Sequence, residues 1–489
     1  MGPARNFVES ADKIQIKPGI WLRGMLAGIL FSWTLFLFGG PLYIADSLAY
    51  YKGGHAAVEF ASLKLDLASQ APALTSSNSA QGQESKASNK LSLEATARVP
   101  EAIGVRSIAY SVMAYVLGAP NGTMLLLAIA QGLLTGLMFA FFLECFAVRT
   151  NKGVAVAAIV LAICTPLAFV SVFAVPDIFA GVLIAALIAL SIAVERMSIM
   201  LRILFVASAA FAISAHASHP PLAAVVTSAC VIFRIYRGDR RAIHLVWVFA
   251  PLVLGMAATL TANRVGFGEM SLAAKRYPLT LARSISDGPA RWYLERHCVE
   301  LKYTICEIFP NGFPKDINSF LFSSKGLENL ATPAQMDQIR AEEFSIVLAA
   351  AWEYPIVESS KLANNFLRQL ILVQPQVQFD ETIVVNSAGV PTLVSHRSNP
   401  LPLWTTWIGR MALISTVISL GWIALRWKRI DIISKQAVAI LILAIFSNAA
   451  ICVFFSGITG RYQARVIWLV PLLAFAIYGR LMRIERDAT

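Results

Sequence analysis

The sequence predicts an all-α polytopic membrane protein of about ten transmembrane helices with a small mixed external domain. The 489 residues are 57% hydrophobic and only 14% charged, with a mean hydropathy of +0.64. Soluble domains run at about 45–50% apolar and about 25% charged. Long apolar runs recur along the chain, and a hydrocarbon core of about 30 Å takes about 20 such residues in helical form. Basic residues gather at the ends of those runs.

Ten runs qualify: Gly24 to Ile44, Thr123 to Val148, Val154 to Val175, Ile178 to Val194, Ile203 to Ala215, Leu222 to Ile235, His244 to Thr261, Trp404 to Leu425, Ala437 to Phe455 and Val466 to Tyr478. The fifth, sixth and tenth are short for a full crossing. The first is of full membrane length with no clean small-x-small cleavage pattern after it, so it reads as a signal anchor. A chain with a net charge of +12 would, if soluble, raise nucleic acid as a partner. Here the basic clusters 5–23, 149–152, 196–202, 234–241, 426–435 and 480–486 fall on one side of a ten-span topology. The positive-inside rule makes that side cytoplasmic, with both termini there, and no nucleic acid partner is expected.

This divides the chain into a cytoplasmic amino terminus (1–23), a bundle (24–262) with a long first external loop (46–121), an external domain (263–403), and carboxy-terminal spans with a tail (404–489). The first loop contains a polar low-complexity stretch, 76–85, too small-sided to bury a core. Beyond it the apolar segment 105–117 carries Arg106. Treating it as a crossing would reverse every later loop, so it reads as an interfacial helix. In the external domain 333–350 and 354–372 read as helices, and 378–385 and 390–395 as strands around the turn-like Asn386-Ser387-Ala388-Gly389. Cys145, Cys164, Cys230 and Cys452 belong to apolar runs as small fillers. Cys298 and Cys306 lie in the external segment and are the disulfide candidates; their spacing matches no zinc signature.

The external ends of the spans hold ionisable residues where few belong. Asp46 follows the first span, Asp177 stands between the third and fourth, His216 and His219 between the fifth and sixth, and the doubly basic turn Gly460-Arg461-Tyr462-Gln463-Ala464-Arg465 precedes the tenth. A charge within the membrane costs about 2.5–3.5 kcal/mol at the centre and less near the interface, and is offset by a partner or ligand. Arginine presents a planar fork to phosphate, and an aspartate accepts a proton from an attacking hydroxyl. Asp46 and Asp177 are therefore the catalytic candidates, and Arg461, Arg465, His216 and His219 the phosphate-binding ones. Tyr50, Arg106 and Tyr462 are possible additions.

Each has a plainer reading. Asp46 and Asp177 also fit as helix N-caps, the histidines as interfacial side chains met by water, and the arginines as snorkelling to headgroups. Tyr43 and Trp404 fit an interface belt, and Glu144 a structural place at a span end.

At these residues the chain resembles membrane glycosyltransferases of the GT-C superfold, the class of protein O-mannosyltransferases, lipid A aminoarabinose transferases and rhizobial galacturonosyltransferases. The likeness rests on Asp46 in the first external loop, interfacial helices there, Asp177 after the third span, and an external domain before the last spans. Ala282-Arg283, Asp287-Gly288-Pro289, His297-Cys298 and Gly460 to Arg465 also look like segments of proteobacterial membrane proteins of this type. The resemblance implies a bacterial inner-membrane enzyme with its site facing the periplasm, a polyprenyl-phosphate sugar as donor, and an acceptor glycan or lipid. Asp46 would act as general base with inversion at the sugar carbon, while the arginines neutralise the leaving phosphate. Many members carry two adjacent acidic residues in the first loop, whereas Ser47 follows Asp46 here, which counts against a metal-assisted reaction. Rival readings are a lipid-linked glycan transporter or flippase, a polysaccharide polymerase or ligase, and a membrane O-acyltransferase using His216 or His219. The few charges inside the spans favour the enzyme over the transporter.

Overall fold

A computed structural model describes residues 14, 18–74, 106–148, 150–375, 381–385, 391–395 and 402–488. The low-complexity stretch 76–85 and the turn 386–389 lie outside the described residues. The bundle begins with α1 (Pro18–Phe31), α2 (Trp33–Phe38), the long α3 (Ala45–Leu74), α4 (Ile108–Gly118), α5 (Leu125–Cys145), α6 (Asn151–Cys164) and the single turn α7 (Leu167–Val170). It continues with α8 (Ile178–Ala193), α9 (Ile199–Ala215), α10 (His219–Tyr236) and α11 (Ala242–Phe267). A second unit holds α12 (Leu279–Asp287), α13 (Pro289–Leu301), α14 (Thr304–Ile308), α15 (Ile317–Leu321), α16 (Leu327–Leu330), α17 (Pro333–Glu353) and α18 (Pro355–Ile371). The antiparallel pair β1 (Glu381–Val385) and β2 (Pro391–Ser395) follows, with Ile383 opposite Leu393. The chain then returns to the bundle through α19 (Pro402–Leu425), α20 (Ile432–Phe455), α21 (Gly460–Ile467) and α22 (Leu469–Ala488).

Among the described residues, seven helical segments are long and apolar enough to cross a membrane: Pro18–Phe38, Leu125–Cys145, His219–Tyr236, Ala242–Phe267, Trp404–Leu425, Ile432–Phe455 and Gly460–Arg486. The chain is thus a multi-pass helical membrane protein. The other three expected spans are shorter helices, α6, α8 and α9. The run from Val154 to Val175 is not one helix. It ends at Cys164, because Pro166 disfavours a helical residue before it and has no N–H to give. The chain then turns so that Leu42 and Phe173 form a parallel bridge. Conversely, the tenth run is longer than its apolar stretch, since α22 continues through the polar residues to Ala488.

The segment 263–403, expected as a small mixed domain, is mostly helical, with a strand pair at 381–385 and 391–395 where strands were expected. Its core gathers Leu281, Ile285, Leu294, Phe320, Ile339 and Ile346 from its own helices, and β1–β2 is the one strand pair among the described residues. Thr332 and Gln335 form a capping box that starts α17. Pro355 at the first position of α18 has no N–H to lose there. Cys298 and Cys306 are disulfide-bonded, tying the end of α13 to α14.

The first and fifth helices meet through facing Gly-x-x-x-Gly patterns, Gly24/Gly28 on α1 and Gly132/Gly136 on α5. A Cβ on Gly28 would lie 2.7 Å from Leu133 Cα and 2.8 Å from the Gly132 carbonyl oxygen, and one on Gly136 would collide with Gly28. In a membrane, where apolar burial gives no preference for protein over lipid, such close backbone approach is what joins helices.

Candidate functional site

Five chain regions meet at one end of the bundle. The start of α3 supplies Asp46, the segment before α4 supplies Arg106, the start of α8 supplies Asp177, the α9–α10 turn supplies His216 and Ser218, and α21 supplies Arg461 and Arg465. The segment 460–465, expected as a turn, is helical. A helix places residues four apart on one face, so Arg461 and Arg465 point the same way, and both guanidiniums lie against the Tyr462 ring, 5.3 and 5.2 Å from its centre. Gly181 allows this helix close to α8. A side chain there would press on Trp468 at 2.6 Å and on the Arg465 carbonyl oxygen at 2.9 Å.

Asp46 is held from two sides. Arg106 donates to Oδ1, and Arg461 Nη2 donates to Oδ2 at 2.9 Å. Arg461 also stands 3.8 Å from Asp177 Oδ2, so it spans both carboxylates. Arg465 is fully buried. Its guanidinium meets Asp177 Oδ1 at 3.3 Å, Asn448 Oδ1 at 2.8 Å, Ser218 Oγ at 3.1 Å and Cys452 Sγ at 3.2 Å. Burial alone would raise the Asp46 carboxyl, but the Arg106 and Arg461 charges outweigh it and hold it at about 2.

Neither aspartate caps its helix. The Asp177 side chain makes no cap hydrogen bond at α8, and both Asp46 oxygens go to arginines. Arg465 does not snorkel, since none of it reaches the surface.

The histidines sit behind the arginines. His216 Nδ1 lies 2.8 Å from Ser218 Oγ, the hydroxyl that Arg465 reaches. His219 Nδ1 lies 2.6 Å from the Ala212 carbonyl oxygen, while its Nε2 is buried with no hydrogen-bond partner. The two rings are 5.2 Å apart. Burial first, then the nearby His219 and Arg465, push His216 well below its usual range, so it stays neutral. Tyr50, one turn along α3 from Asp46, is buried with its ring 4.8 Å from Tyr110. Tyr110 donates to Gln131, whose amide donates to the Ser171 and Phe173 carbonyls. This fixes the wall behind the cluster.

The helical unit closes over the same place. The Arg106 guanidinium lies 5.7 Å from the centre of the Tyr277 ring, whose hydroxyl donates to Glu328 at 2.6 Å. Gln369 of α18 pairs with both backbone groups of Thr459, each at 2.9 Å. Gly460 passes so near the Gln374 backbone that a side chain would collide. Arg283 and Asp287, from the segment that shared the family likeness, are structural. Arg283 binds Asp287 at 3.1 Å and Glu358 at 2.6 Å, and Asn365 donates to Asp287. His297 reaches Glu353 at 3.0 Å, away from the cluster.

Asn448 was not among the expected residues, although an amide within the apolar run 437–455 is the kind of polar group that marks a site. Its Oδ1 receives Arg465, and its amide donates to the Tyr462 carbonyl at 2.6 Å. Among the described residues, Glu195, Asp239 and His244 form a group with metal-ligand atoms within 4.8 Å of one another. Arg234, itself buried, donates to Glu195 at 2.9 Å and to Asp239, so a cation already stands there.

No protein-family model, curated protein or solved structure matches this chain. Fold and site therefore define the class: a polytopic helical membrane protein with a carboxylate–guanidinium cluster at one end of its bundle. In that cluster three guanidiniums face two carboxylates, one positive charge in excess.

Proposed function

We propose that this protein is a membrane glycosyltransferase of GT-C type that moves a sugar from a polyprenyl-phosphate donor to an extracytoplasmic acceptor glycan or lipid. The observation that carries this reading is Arg461 shared between Asp46 and Asp177. A cation so placed can exchange a carboxylate for a substrate phosphate. The excess positive charge favours an anion, and a lipid phosphate is met at the membrane interface, where the ends of membrane-crossing helices are expected.

The chemistry follows from competition for the arginines. In the resting site Asp46, held at about 2 after burial is opposed by Arg106 and Arg461, is a poor base at neutral pH. A donor phosphate that draws Arg461 away removes one of the charges stabilising the carboxylate, and its proton affinity rises. Asp46 then takes the acceptor hydroxyl proton and the oxygen bonds to the anomeric carbon. The bond from that carbon to the phosphate oxygen breaks, and polyprenyl phosphate leaves with the electron pair. Arg461 and Arg106 neutralise the leaving group. Arg465, whose guanidinium is occupied by protein groups, is a positioning residue for Asp177.

Proteoliposomes supplied with polyprenyl-phosphate sugars and membrane acceptors test this. Transfer should be abolished by Asp46→Asn in protein that still folds. Full transfer by that variant would remove the base, and transbilayer movement of the lipid-linked sugar without transfer would make the protein a transporter.

A further inference from the structure

The second half of α18 lies against two membrane-crossing helices. The Phe366 ring is 5.9 Å from that of Phe446 on α20, and a Cβ on Gly409 of α19 would lie 2.7 Å from Gln374 Cγ and 3.4 Å from its Cα. These contacts set a depth. α19 and α20 have 24 residues each, about 36 Å at about 1.5 Å per residue, which is about 6 Å more than a hydrocarbon core of about 30 Å. Phe446 lies about 13 Å short of the Phe455 end of α20, and Gly409 about 10 Å from the Pro402 end of α19. Even with the whole excess at those ends, Phe446 is about 7 Å inside the hydrocarbon and Gly409 about 4 Å. The stretch from Phe366 to Gln374 runs beside them.

At about 3.6 residues per turn, the sides of α18 follow in a fixed order. Gln369 is buried and holds Thr459. Next round the helix comes Phe366, against a Phe446 that is itself exposed on its other side. Leu367 and Ile371 follow, four residues apart and 62% and 66% exposed, and then Asn364 and Arg368, also exposed. The open apolar side thus continues the open surface of α20, where Ile442 and Leu443 are exposed as well. Arg368 can lay its stem along this side and carry its charge to the headgroups.

We propose that the second half of α18 is an interfacial helix seated in the bilayer leaflet on the charge-cluster side, with phospholipid acyl chains as the partner of Leu367 and Ile371. Such helices bury their apolar face about 5–10 Å at the boundary of headgroups and acyl chains, close to the two depths set by α19 and α20. Because Gln369 holds Thr459 just ahead of α21, the bilayer takes part in fixing the helix that carries Arg461. The proposal needs only that the chain crosses a membrane, so it stands or falls independently of the transferase reading.

The test is spin labelling of the full chain in phosphatidylcholine vesicles, with collision rates measured for oxygen, which concentrates in lipid, and for a water-soluble nickel chelate. Labels go on Leu367→Cys and Ile371→Cys, with Ile442→Cys on α20 as the lipid reference and Lys325→Cys, exposed on the helical unit, as the water reference. Labelling without reductant keeps the Cys298–Cys306 disulfide, and the wild-type chain supplies the background of the native thiols. The oxygen-to-nickel ratio at 367 and 371 should match that at 442 and be the reverse of that at 325. A ratio like that at 325 would place these residues in water, and low collision with both reagents would place them against a second copy or another protein; either overturns the proposal. A label-free check is Leu367→Asp, which should lower the melting temperature in vesicles more than Lys325→Asp does. Equal effects of the two would also overturn it.

Discussion

Arg461 donates to Asp46 across 2.9 Å from a position 415 residues further along the chain. That contact joins the first turn of α3 to the first turn of α21, an early and a late part of the bundle's sequence. If it carries energy, Asp46→Asn and Arg461→Gln should not be additive. Contacting charged residues couple by about 0.5–3 kcal/mol. Thermal unfolding of the two single variants and the double variant in detergent measures this. Additivity within about 0.5 kcal/mol would show that the pair does no more than coincide.

The pair Arg465–Asp177 should behave differently because both members are buried. Arg465→Leu leaves Asp177 with only the Arg461 guanidinium, 3.8 Å away and shared with Asp46, and should cost about 3–5 kcal/mol. Arg465→Lys should recover little, since one ammonium cannot serve Asp177, Asn448 and Ser218 in the planar spread that the guanidinium does. Replacing both members by leucine should cost less than the sum of the single changes. Stability matching the wild type in Arg465→Leu would contradict the buried pairing.

Acid should destabilise the protein in a window set by His216. Its folded value is pushed well below the ordinary 6.5, by burial first and then by His219 and Arg465. The unfolded imidazole therefore takes up a proton as pH falls through about 6.5 while the folded one does not. Stability is full above that value and declines below it, by up to about 1.4 kcal/mol per pH unit for one such group. Asp46 adds nothing in this window: despite burial, the Arg106 and Arg461 charges lower it from 3.8 to about 2, so its contribution persists above 3.8 and disappears as pH falls through about 2. Unfolding at pH 7.5, 6.5 and 5.5 should show a shallower decline in His216→Gln than in the wild type. Parallel declines would place the acid sensitivity elsewhere.

The glycine contact between α1 and α5 should tolerate no side chain. A Cβ at Gly28 meets backbone atoms at 2.7 and 2.8 Å, and backbone cannot swing aside as a side-chain tip can. Gly28→Leu or Gly136→Val should cost about 1–3 kcal/mol or more through overpacking, with Gly28→Ala the mildest. Cross-linking of cysteines placed on the two helices reports their separation. Unchanged cross-linking and stability in Gly136→Val would exclude the close approach.

Much of the fold was legible because its causes are local. Hydropathy over about 20 residues marks a membrane helix, and the capping and turn residues around 332–355 and 381–395 mark the elements between them. The same locality misled at Pro166, where an apolar run continues but the helix does not. It also misled at 460–465, whose polar residues look like a turn when read alone yet lie on one face of α21. The length of α3, through Leu74, had no comparable signal beyond its first turn.

By itself the sequence determined that the protein lives in a membrane, where its apolar segments lie, and that charges accumulate at their ends. Only the tertiary structure decided which charges meet. Asp46, Arg106, Asp177, Asn448 and the pair Arg461 and Arg465 come from five separate stretches, and no periodicity connects residues hundreds of positions apart. Their convergence follows from packing: glycines that let α1 approach α5 and α21 approach α8, and Gln369 holding Thr459 beneath the helical unit. The physical reason is that hydropathy depends on neighbours in sequence, whereas an ion pair depends on distance in space.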